Sequence, residues 1–200
     1  FSIDLSYGMV QQLTGILSAG HYKNVEVMQM DAEFLSFSDN SFDYIFCGFG
    51  IFFFPDLKKA VSEISRVLKE NGIFGFTTFR ELQEHKLLEP VFKKYFPVDP
   101  DDRVAQNKHL FDSEEGLEKF LKENDLKKLK IINEKKEFTY PSREKWWEKQ
   151  FTHGMKRRIE KLDQSRVAEF KEDCFRELEK VKVTNGYRLF VDVFFTFAQK

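Results

Sequence analysis

The chain has 200 residues, 42% of them hydrophobic, and a formal net charge of -1. Such a length can bury one full core, while near neutrality withholds the basic footprint that nucleic-acid binding needs, clusters such as "GMKRR" (154–158) reading as solvated helix faces. Two distant cysteines, Cys47 and Cys174, and the lack of an Asn-x-Ser/Thr sequon or signal peptide indicate a reducing, cytoplasmic setting, and the dense apolar runs near 44–54 and 189–198 are too short to cross a bilayer as helices.

"FSID" (1–4) reads as the end of a strand. It runs into "LSYGMVQQLTGILSAG" (5–20), where Met9, Val10, Leu13, Ile16 and Leu17 recur at helical spacing between a Ser6 N-cap and a Gly20 stop. "NVEVMQM" (24–30) alternates as a second strand, and "SFDYIFCGF" (41–49) is the near-continuous apolar run of a strand covered on both faces. "PDLKKAVSEISRVLKENG" (55–72) puts Leu57, Ala60, Val61, Ile64, Val67 and Leu68 on one helical stripe, capped by Asp56 and followed by Gly72. "IFGFTTF" (73–79) is the next strand. This alternation predicts a parallel sheet with helical crossovers.

Beyond residue 80 the pattern changes. A helical segment (82–95) leads into "FPVDPDD", and "DSEEGLEKFLKEN" (112–124) opens with Asp112 and Glu115 at capping-box spacing. "LKKLKIINEKKEFTY" (126–140) is polar enough for an edge strand. Residues 141–183 read as a helical insertion of two or three helices, and "GYRLFVDVFFTFAQK" (186–200) as a strong final strand. The whole forms one α/β domain over 1–200. Because Phe1 already lies in a strand-like run, that domain is expected to be incomplete at its N-terminus.

Ligands of open α/β sheets bind beyond the carboxyl ends of the strands, so unusual residues there are candidate contacts. Asp4 ends the first strand. Its carboxylate, an acceptor only, suits the vicinal hydroxyls of a ribose, although Asp is also a common helix cap. Asp31 and Ala32 repeat the theme one strand later, where a carboxylate accepts from an exocyclic amine and a backbone N–H donates to a ring nitrogen.

"IDLSYGM", "DAEFLSFSDNSFDYIFCGFGIFFFPD" and "KAVSEISRVLKENGIFGFTTF" resemble, in order, the consecutive motifs of class I S-adenosylmethionine-dependent methyltransferases acting on small molecules. The resemblance is close over 1 to about 80 and looser beyond. It implies a Rossmann-like, mostly parallel sheet with an antiparallel last strand, helices on both faces, and S-adenosylmethionine as cofactor. It also implies that Asp4 holds the ribose, Leu5 and Met9 flank the adenine, Asp31 and Ala32 read its edge, and Cys47, Gly48 and Phe49 line the methionine end. The family's first strand, with its Gly-rich loop, has no counterpart in this chain; in the family order it lies between the strands ending at Asp4 and at Cys47. Where relatives often carry two histidines this chain has Phe52 and Phe53.

Methyl transfer from a sulfonium asks chiefly for alignment and exclusion of water. Aromatic faces suit a sulfonium, and the Phe-rich run 46–54 offers them, though such a run also serves as sheet core. Phe53 and, in the insertion, Trp146, Trp147 and His153 are the candidate contacts to a small-molecule acceptor, with 141–183 as a substrate cap. His153 has the chemistry of a general base or of a packed residue. Neither the four His nor the two Cys have metal-ligand spacing, so no metal is expected, and neither nucleic acid nor membrane is an expected partner. Two readings compete: a methyltransferase-like binding module with a decayed site, and an NAD(P)-dependent oxidoreductase. Against the second, no Tyr is followed four residues later by Lys.

Overall fold

The computed structural model describes residues 1–96, 107, 110–151 and 155–200. The fold is α/β. Strands β1 (Ser2–Asp4) and β2 (Val27–Gln29) flank helix α1 (Tyr7–Ala19), and β3 (Phe42–Gly48), α2 (Leu57–Val67) and β4 (Leu68–Leu82) repeat the unit. Then come α3 (Gln83–Tyr95), α4 (Glu114–Glu123), β5 (Lys127–Tyr140), α5 (Arg143–Gln150), α6 (Met155–Ile159), α7 (Gln164–Leu178), β6 (Lys182–Val183) and β7 (Gly186–Gln199). β1 pairs with β2 in parallel, Asp4 opposite Gln29, and β3 with β4 in parallel, Gly48 opposite Thr77. The sheet order is β1-β2 in one sheet and β3-β4-β7-β5 in another, with the short β6 antiparallel to β7. β5 is thus an edge strand, as its polar sequence predicts.

The chain divides into two compact units, 1–78 with 103–132 and 194–200, and 79–102 with 133–193. The first is built on α2, whose apolar stripe buries Ala60, Val61, Ile64 and Val67. The same unit also buries Ile51, Phe52, Phe74 and an edge-to-face trio of Phe76, Phe111 and Phe120. The second has its own core, in which Leu88, Val91 and Tyr95 of α3 meet Trp146, Phe170, Cys174 and Phe175.

Several expectations are revised. Helix α2 stops at Val67, and Leu68 is already extended. The reversal falls within β4, where Asn71 has φ +64° and a Cβ on Gly72 would sit 2.7 Å from the Leu68 side chain. The cap of α4 is Ser113 rather than Asp112: its hydroxyl accepts from the Gly116 amide at 3.2 Å. Ser6 occupies the N-cap of α1 without a side-chain cap bond, and its amide donates to the Asp4 carboxylate. Finally, β3 is not covered on both faces, and α1 has no buried residue despite its apolar stripe. Both elements adjoin sheet ends: β1 and β3 are each the end strand of their sheet.

Candidate functional site

Parallel strands deliver their carboxyl ends to one edge, and the first unit places its unusual residues there. The backbone carbonyl of Asp4 accepts from Met30 N at 3.1 Å, extending the ladder past the last paired residue. Its Oδ1 accepts from Ser6 N at 2.7 Å and turns the chain into α1. A carboxylate has about four acceptor sites, so this local bond leaves capacity for a ligand. Asp4 also borders a cleft of about 230 Å³ lined by Ile3, Met9, Leu13, Ile16 and Val27. Leu5 and Met9 are exposed beside it, at 65% and 53%.

One strand over, Asp31 shapes a tight turn. Its Oδ1 accepts from Glu33 N at 2.9 Å and its carbonyl from Phe34 N at 3.1 Å. Asp31 and Ala32 are both half-buried. At the end of β3, a Cβ built on Gly48 would meet no atom within 4 Å, so the protein itself leaves this strand end open. Phe49, next in the chain, has φ +51°, a left-handed conformation that is costly for a bulky residue. The Thr77 hydroxyl holds it there, accepting from Phe49 N at 2.8 Å. Burial pushes the Cys47 thiol up to about 11, outweighing backbone hydrogen bonds from Gly50 and Ile51 that act the other way. The thiol therefore stays protonated near neutral pH, and it is a poor nucleophile.

The substrate candidates fare unequally. Phe53, in a single 3₁₀ turn over Ile51–Phe53, is 57% exposed and rests on Phe52, with ring centroids 4.7 Å apart. In the second unit Trp146 is 1% exposed, its indole N–H donating to Glu84 at 2.9 Å; it is core. Trp147 is half-buried against Phe151, Phe170 and Phe175. His153 lies outside the described residues. Among the described residues no three His, Cys, Asp or Glu are grouped to hold a metal, and no helix is long and apolar enough to cross a membrane. Thr77 went unread in the sequence; it lies inside β4, opposite the carboxyl end of β3. The strain at Phe49 had no signal in the sequence.

Comparison with known proteins bears on this arrangement directly. Residues 1–76 match the family described as "Methyltransferase domain". A demethylmenaquinone methyltransferase of Staphylococcus haemolyticus is 29% identical over 64% of this chain and 58% of its own length. A ubiquinone/menaquinone biosynthesis C-methyltransferase, UbiE, of Rickettsia prowazekii is 38% identical over 46% of this chain and 38% of its own. The chain thus spans about two fifths to three fifths of these relatives. A protein of Bacillus halodurans whose crystal structure bears a methyltransferase assignment superposes with a TM-score of 0.62 at 20% identity, over 99% of this chain and 81% of that one, and so shares the fold. Residues 1–76 thus resemble a methyltransferase domain, and the chain shares the fold of the Bacillus halodurans structure. The strand-end residues of this chain fit a nucleoside cofactor: acceptor carboxylates at Asp4 and Asp31, and open space where Gly48 lacks a side chain.

Proposed function

We propose that the protein transfers a methyl group from S-adenosylmethionine to a small-molecule acceptor. The observation that carries this reading is the pair of carboxylates at the ends of adjacent parallel strands, Asp4 closing β1 and Asp31 just past β2. In it, Asp4 accepts from the ribose hydroxyls while Leu5 and Met9 flank the adenine, and Asp31 with the Ala32 amide reads the adenine edge. Cys47, Gly48 and Phe49 line the methionine end. The cofactor supplies an activated methyl sulfonium, so the protein's task is to bind, orient and exclude water. A protonated Cys47 also suits this role, because a thiolate in its place would compete with the acceptor for the methyl group. Phe53 is the proposed acceptor contact of the first unit; Trp147 and His153, with 141–183 as a cap, are proposed from the family resemblance, and burial of Trp146 argues for a packing role instead. The names of the curated relatives make a demethylated quinone the first acceptor to assay. The free thiols of Cys47 and Cys174 support the cytoplasm as the compartment.

Calorimetry with S-adenosylmethionine, S-adenosylhomocysteine and NAD tests the reading. The first two should bind, and Asp4→Ala and Asp31→Ala should each weaken binding by roughly 1.5 to 3 kcal/mol, the worth of a hydrogen bond to a charged group. Binding of NAD alone would sink it.

A further inference from the structure

Helix α2 has no candidate ligand contact, yet it grips the loop after β2 at both ends. At its start, Asp56 N donates to Glu33 Oε1 at 2.8 Å while the Asp56 carboxylate caps Lys59 N at 3.0 Å, and the Lys59 ammonium lies 3.0 Å from the centroid of the Phe34 ring. Toward its end, Arg66 commits five N–H donations. Nε and one Nη2 donation go to Glu63 at 2.7 and 2.8 Å; the others go to the carbonyls of Leu35 and Phe37, both at 2.8 Å, and to Asp39 at 2.7 Å. Glu63 returns to the same loop by accepting from Leu35 N at 2.8 Å. The Arg66 guanidinium beside it holds the Glu63 carboxyl below its usual range. Ser41 N and Asn40 N then donate to the carbonyls of Val67 and Arg66 at 2.7 and 3.0 Å, so the loop's far end is tied to the helix terminus.

These bonds act on backbone groups of residues 35–41, and through Glu33 on the turn that Asp31 makes. A loop of this length without secondary structure has many conformations, and a carboxylate that must face one edge of a base tolerates few of them. We propose that Arg66 and Glu63 are positioning residues: they fix the 33–41 loop along α2 and thereby set how Asp31 and Ala32 meet the adenine edge. The inference rests on the reading of Asp31 and Ala32 given above. Lys cannot replace Arg66, since an ammonium has three donors and no planar fork.

The test reads base discrimination, which loss of stability alone does not alter. S-adenosylhomocysteine and S-inosylhomocysteine differ at the base edge, where the second presents a carbonyl in place of the amine. The full-length wild-type protein should prefer the first by roughly 10- to 100-fold. In Arg66→Lys that ratio should shrink by about tenfold, while Asp43→Asn, which breaks only the exposed Lys69–Asp43 pair, should preserve it. If Arg66→Lys does not fold, Glu63→Gln carries the same test, because it keeps an acceptor for Leu35 N and loses the charged fork. An unchanged ratio in a folded variant, or equal loss of affinity for both nucleosides, overturns the inference. Failure of the wild type to bind S-adenosylhomocysteine would instead refute the proposed function.

Discussion

A cysteine beside a proposed cofactor site invites a reactive reading, and burial decides against it for Cys47. Its thiol is raised from 9.0 to about 11. At mildly alkaline pH the folded protein therefore holds about a hundredth of the thiolate of a free cysteine, and native Cys47 should resist iodoacetamide until the protein unfolds. The stability consequence has a definite sign. Between 9 and 11 the unfolded chain has released this proton and the folded one has not, so the unfolded state binds fewer protons and stability falls as pH rises through that window. Denaturant titrations near both limits should show a steeper loss in the wild type than in Cys47→Ser. Rapid native alkylation located at Cys47, or equal slopes, would contradict the assignment. At this scale the sequence was legible in position, since Asp4 and Asp31 do fall at or just past strand ends as read. Phe49 was not, because nothing about phenylalanine foretells a left-handed backbone held by a threonine in the neighbouring strand.

Elements were legible where two signals agree. Helix α2 has both an apolar stripe and a capping Asp56, and its start and buried face follow the sequence. For α4 the capping box suggested Asp112, but only Ser113 has its hydroxyl within reach of the third amide onward. Composition alone misled in α5, where adjacent tryptophans look equivalent. Helical geometry sets neighbours about 100° apart, so Trp146 goes inward to Glu84 while Trp147 stays half-buried. The pair consequently offers a test of the acceptor proposal. Trp146→Phe removes a buried hydrogen bond and should lower stability by about 1 kcal/mol or more with acceptor KM unchanged. Trp147→Ala should cost about 2 kcal/mol from lost ring packing and, in addition, raise acceptor KM while leaving S-adenosylhomocysteine affinity intact. If both variants lose stability only, Trp147 is core like its neighbour.

For the whole molecule, what sequence could not supply was the fate of the strand edges that pair with no further strand among the described residues. The run 41–49 is apolar enough for a strand covered on both faces, yet Tyr44 and Phe46 are 62% and 68% exposed, and their rings stack with centroids 6.4 Å apart. Helix α1 repeats the pattern, with Met9 and Ile16 more than half exposed. Periodicity reports which face of an element is apolar; it does not report whether anything lies against that face. An end strand presents a row of N–H and C=O groups on its outer side, and β1 and β3 each do so next to exposed aromatic or aliphatic side chains. Exposed apolar area beside strand edges is a template for pairing with another chain. The protein is therefore expected to self-associate, with the amides of β3 exchanging faster than those of β4 in the dilute monomer. Sedimentation over a concentration series and hydrogen exchange measure both. A monomer at high concentration whose Tyr44 and Phe46 amides exchange as slowly as those of Phe74 and Phe76 would show that these edges are not sites of association.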